Sequence, residues 1–137
     1  MPRHSLVAVV LLAACGSTAP NRVSSLVFES TVLAGIPTLP TSAVPTPGMI
    51  EITGVIPTIG TGFRLSGKVT LTRANQLTLV IDAYDNAPGA PFPAQNLYKA
   101  RLGQLAPGDY DVSVIHDVHE PAPGVRERVF HPTVHVN

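Results

Sequence analysis

Residues 105–115 read Leu-Ala-Pro-Gly-Asp-Tyr-Asp-Val-Ser-Val-Ile, and the fold is decided here. Pro107-Gly108 is a turn signal, because proline presets its own φ and glycine tolerates the conformations that tight turns require. Immediately after it, Tyr110, Val112 and Val114 face one way while Asp111 and Ser113 face the other. That period of two marks a half-buried strand, entered through a change of chain direction.

The same period repeats on both sides of this stretch. Upstream, Tyr98, Ala100 and Leu102 alternate with Lys99 and Arg101. Phe63, Leu65, Val69 and Leu71 alternate with Arg64, Ser66, Lys68, Thr70 and Thr72. A short turn at Ala74-Asn75 leads into Leu77, Leu79, Ile81 and Ala83, which alternate with Gln76, Thr78, Val80 and Asp82, so the two segments predict an antiparallel hairpin. Ile50 and Ile52 open a further strand, in which Pro57 marks an edge or a kink because proline cannot donate to a ladder. Downstream, after an acidic, proline-rich loop from Asp117 to Gly124, Phe130, Val134 and Val136 share one face and His131, Thr133 and His135 the other. Pro132 makes that last strand an edge. Short strands at regular spacing, with no helical period, predict an all-β, antiparallel β-sandwich of about seven strands over residues 49–137.

Leu105-x-Pro-Gly-x-Tyr110 resembles the tyrosine corner of immunoglobulin-like and fibronectin-type sandwiches. The resemblance implies that the Tyr110 hydroxyl bonds to backbone a few residues upstream. The chain departs from antibody-type domains, since it has no Trp and only one Cys. Prealbumin-like sandwiches carry similar Pro-Gly-x-Tyr turns, and the residues leave both architectures open.

Composition agrees with strands. Pro 14 and Gly 11 are high for 137 residues, charged residues make up only 13%, and Lys+Arg 9 balance Asp+Glu 9. A balanced chain offers no electrostatic footprint for nucleic acid. With Cys15 alone, an intrachain disulfide and a Cys-based structural zinc site are both excluded.

The N-terminus reads as an address. Arg3 supplies a positive start and Leu6 to Leu12 an apolar run, shorter than the roughly 20 residues that span a bilayer. It ends in Leu12-Ala13-Ala14-Cys15-Gly16, which resembles the lipobox of a bacterial lipoprotein precursor. The resemblance implies a signal peptide over residues 1–14, a diacylglyceryl group on the Cys15 thiol, and cleavage that leaves Cys15 as an acylated (palmitate-type) mature N-terminus. Two or more acyl chains give stable anchoring where one does not, so the expected location is the cell envelope. Gly16 in place of Asp favours the outer membrane where the organism has one. Residues 15–48, punctuated by Pro20, Pro37, Pro40, Pro45 and Pro47, read as a tether. Within it Leu26-Val27-Phe28 and Val32-Leu33 fit a strand added to the sandwich edge or a short helical turn.

Chemistry-bearing residues collect near the C-terminus. His116, His119, His131 and His135 lie in the last quarter of the chain beside Asp111, Asp117 and Glu120, residue types that suit zinc or copper. If the final two strands pair as a hairpin, His131 and His135 share an outer face with Asp111, and His116, His119, Asp117 and Glu120 gather at the loop end. Their spacing matches no metal motif, and Pro121 and Pro123 forbid a zincin helix, so the favoured expectation is solvated polar residues. In the loop 85–96, Phe92 is expected to tuck over the core edge. No Gly-x-Ser-x-Gly elbow and no phosphate-binding glycine loop is present. The expectation is a lipid-anchored envelope protein, not an enzyme, whose sandwich serves a structural or protein-interaction role. Its partners would be the membrane, through Cys15, and another envelope protein, with no nucleic acid. The alternative is a metal- or small-ligand-binding lipoprotein using the four histidines.

Overall fold

The computed structural model describes residues 25–33, 39–86 and 88–137. Their order is β1 (Ser25–Leu33), β2 (Ser42–Thr46), β3 (Met49–Thr58), β4 (Phe63–Leu71), β5 (Gln76–Asp85), β6 (Ala94–Gly103), β7 (Gly108–Val118), β8 (Val125–Phe130) and β9 (Thr133–Val136). One sheet runs β1-β6-β3-β2, the other β4-β5-β7-β8, with β9 also paired to β7. The molecule is an all-β sandwich. From Met49 onward there are seven strands, β3 to β9, in line with the expected number of about seven.

Two findings depart from the sequence expectation. The folded unit reaches back to Ser25, because β1 pairs with β6 from Ser25↔Gly103 to Leu33↔Gln95, and β2 pairs with β3. Much of the expected tether is therefore sheet. The undecided patch around Phe28 is the edge strand β1, whose Phe28 ring packs over Gly67 of β4, where a Cβ would stand 2.6 Å from the ring. The second departure is that β5 and β7 run parallel, Gln76↔Asp111 through Ala83↔Val118, in a sandwich whose other pairs are antiparallel. Parallel neighbours need a crossover, and β6 in the opposite sheet supplies it.

The core forms where the alternating faces meet. Ile50, Ile52 and Ile56 of β3, Leu77, Leu79 and Ile81 of β5, Tyr98 and Leu102 of β6, and Val112 and Val114 of β7 are all buried. Each fully buried Leu, Ile or Val side chain contributes about 1.5–3 kcal/mol, which offsets the cost of ordering the chain. Asn96, also on the inner face of β6, is satisfied by the Ile56 carbonyl at 3.2 Å and the Thr58 hydroxyl at 2.7 Å.

At the corner, Gly108 has φ 147°, a conformation that side chains disfavour, and Tyr110 follows with its ring in the core. The Tyr110 hydroxyl donates to the Ala106 carbonyl at 2.7 Å. The β4–β5 turn is tied to the same place, since Asn75, at φ 55°, donates from Nδ2 to the Asp109 carbonyl at 3.2 Å. The last predicted strand is divided at His131-Pro132: β8 pairs the second half of β7 and β9 the first.

Candidate functional site

The outer face of the β4-β5-β7-β8 sheet carries a line of charges running across the strands. The parallel register sets Asp82 of β5 beside Asp117 of β7, and like charges in adjacent positions repel. Cations from both flanks relieve them. Lys68 of β4 lies 3.2 Å from Asp82 Oδ2, close enough for an ion pair although not aligned as a hydrogen bond. Arg126 of β8, opposite Asp117 in register, bonds its Oδ2. His119 donates from Nε2 to Asp82 Oδ1 at 2.9 Å, sits 3.6 Å from Asp117 Oδ1, and stacks on Tyr84 with ring centroids 4.0 Å apart.

Asp82 is only 4% exposed. Burial pushes its carboxyl up, but the His119 hydrogen bond and the positive charge of Lys68 outweigh this and hold it below the usual value. Asp82, Asp117 and His119 bring one ligand atom each within 4.8 Å of one another, a donor set that a divalent cation accepts. The second oxygen of each carboxylate already faces a cation, so the group is charge-balanced by the protein itself.

The second feature is a cleft of about 320 Å³ between the end of β3 and the β7–β8 edge. Ile56, Ile59, Phe63, Val118, Pro121 and Val125 make its walls apolar, and Glu120 and Glu127 stand on it. Ile59 and Val125 are both 61% exposed at the rim. Neither glutamate forms an ion pair among the described residues.

His116 lines this cleft from the inside, only 8% exposed. Its Nε2 shares a 2.9 Å hydrogen bond with the Tyr98 hydroxyl, the two rings meeting edge to face. Burial pulls the imidazole down to about 4 and pushes the Tyr98 phenol up to about 12, so both are neutral at physiological pH. A methyl group at Gly54 would overlap the Tyr98 hydroxyl, which explains the glycine in the middle of β3.

The four histidines proposed from sequence do not share a site. His116 points into the interior. His119 joins Asp82 and Asp117. His135 donates from Nδ1 to Asp109 Oδ1 at 2.6 Å on the exposed face of β9. His131 lines a separate groove with Asp111 and Arg128. The loop-end grouping of His116 with His119 fails because β7 runs to Val118 and neighbouring positions alternate sides of the sheet. Phe92, expected to tuck over the core, is 48% exposed. Cys15, the proposed lipidation site, lies outside the described residues. Sequence reasoning missed the Asp82–His119 contact and the cleft, both of which depend on strand pairing that sequence period does not reveal.

No protein-family model, curated protein or solved structure matches this chain.

Proposed function

We propose that this chain is a lipid-anchored envelope protein whose β-sandwich is a non-catalytic interaction module. The observation that carries the interaction role is the cleft: apolar walls, an exposed aliphatic rim at Ile59 and Val125, and two glutamates without cationic partners among the described residues. Such a surface suits a segment of a partner protein that presents an apolar side chain beside Lys or Arg, because the rim carboxylates complement positive charge. The ionisable group inside the cleft, His116, is held neutral and bonded to Tyr98, a structural arrangement rather than a poised base.

The anchor rests on the lipobox. Residues 16–24, nine in all, separate Cys15 from β1, and the ten steps from Cys15 to Ser25 span at most about 36 Å however they are arranged. The sandwich is thereby held close to the lipid surface, and its partner belongs to the same layer of the envelope.

Photo-crosslinking in the intact cell tests the interaction. A benzoylphenylalanine at Ile59 or Val125 is expected to give one discrete protein adduct, and the same group at Thr70, on the far β4 edge, none. Absence of adducts from the cleft positions, or the same adduct from all three, removes the cleft as a docking site. Cys15→Ser tests the anchor: the variant should leave the membrane fraction, and its retention there refutes lipidation as the means of attachment.

A further inference from the structure

The four other outer strands of the sandwich are each protected against pairing with a further strand. β2 is five residues long and contains Pro45. β4 carries Arg64 and Lys68, β8 the run Arg126-Glu127-Arg128, and β9 is four residues long behind Pro132. Short length, proline and charge are the means by which sheet edges avoid further pairing.

β1 has none of these. It is nine residues, Ser-Leu-Val-Phe-Glu-Ser-Thr-Val-Leu, with no proline, no glycine and one charge. That charge is met within its own sheet, Glu29 Oε1 lying 3.6 Å from Arg101 Nη1. Among the described residues β1 pairs with β6 alone, so its outer backbone donors and acceptors have no strand partner. Val27 and Val32 stay 48% and 40% exposed on it.

We infer that β1 pairs with β1 of a second copy of this chain, joining two four-stranded sheets into one of eight. The strand is self-complementary in one antiparallel register. With the two-fold axis at Ser30, Val27 stands opposite Leu33 of the second copy, Phe28 opposite Val32, and Glu29 opposite Thr31. Residues directly opposite lie on the same face of the sheet, and all of these pairs satisfy that parity. Apolar residues meet apolar ones and no like charges oppose. With the axis one residue earlier, Glu29 would meet its own copy. The contact is isologous, so it closes at two copies. This inference rests on β1 alone and stands or falls independently of the anchor and the cleft.

The test uses the full chain purified in detergent, with protein mass measured by light scattering after subtraction of the detergent. The wild type is expected at twice the monomer mass. Ser30 is exposed, so Ser30→Lys and Ser30→Glu are compatible with the fold, and each places like charges on the axis. Each variant alone should be monomeric, and an equimolar mixture should recover the dimer. A monomeric wild type overturns the inference, as does either variant remaining dimeric by itself. Failure of the mixture to recover the dimer overturns it as well.

Discussion

His116 makes stability depend on pH between about 4 and 6.5. In the unfolded chain its imidazole titrates near 6.5; in the sandwich, burial holds it to about 4. Above pH 6.5 the ring is neutral in both states and contributes no pH dependence. As pH falls below that value the unfolded ring takes up a proton and the folded ring does not, so the unfolded state binds more protons and stability falls. The loss is complete near pH 4. The displacement from 6.5 to about 4, at about 1.36 kcal/mol per pH unit, amounts to about 3 kcal/mol. Glu127, directly opposite His116 on β8, and Glu120 across the cleft favour the imidazolium and work against this figure, which is therefore an upper one. The Tyr98 hydroxyl can meet either form of the ring. Asp82 acts elsewhere: its carboxyl is lowered from 3.8, so its contribution is present above that value and lost only at more acid pH. Urea unfolding of the wild type and of His116→Gln at several pH values from 7.5 to 4 separates the effects. Whatever the starting stability of the glutamine variant, the advantage of the wild type over it should shrink by up to about 3 kcal/mol across the window. Parallel curves would refute the buried, neutral assignment of His116.

Two further outcomes follow from the geometry. Tyr110→Phe removes the 2.7 Å bond to the Ala106 carbonyl; Ala106 is exposed, so water can take the vacated place, and calorimetry should show a loss of about 1 kcal/mol. No change in melting temperature would show that the hydroxyl is dispensable at the corner. Excess zinc should leave the wild-type melting temperature essentially unchanged, because Lys68 and Arg126 already neutralise the two carboxylates and an ion between their Oδ1 atoms must take the place of the His119 proton; a rise of several degrees that Asp82→Asn abolishes would reverse that view.

The inward faces of β4 to β7 were legible because apolar residues alternate with mostly polar ones there: Leu77, Leu79 and Ile81 against Gln76, Thr78 and Asp82, with Val80 the exception. β1 was not, since its outward position Val27 is as apolar as Leu26 and Phe28, which blurs the period. The direction of His116 was available by counting two on from Val114, but grouping it with the other histidines by residue type hid that parity. Asp117 and His119 were grouped at the loop end from sequence, but nothing in local sequence signalled that Asp82 joins them. The cluster exists because β5 and β7 are parallel neighbours, and the crossover that makes them so passes through the other sheet.

β1 also has a bearing on the order in which the chain is made and folded. Its described strand partner, β6, begins at Ala94, so when Phe28 emerges from synthesis the residue it will pair with, Ala100, lies some seventy residues away. The β2–β3 and β4–β5 hairpins close locally and early, whereas β1 must wait for one of the longest loops in the molecule to shut. Until then both of its edges are open, and a neighbouring chain at the same stage offers the same sequence. Holding newly made chains apart until Gly103 has appeared would favour the closed monomer, and crowding them earlier would favour exchange of β1 between copies.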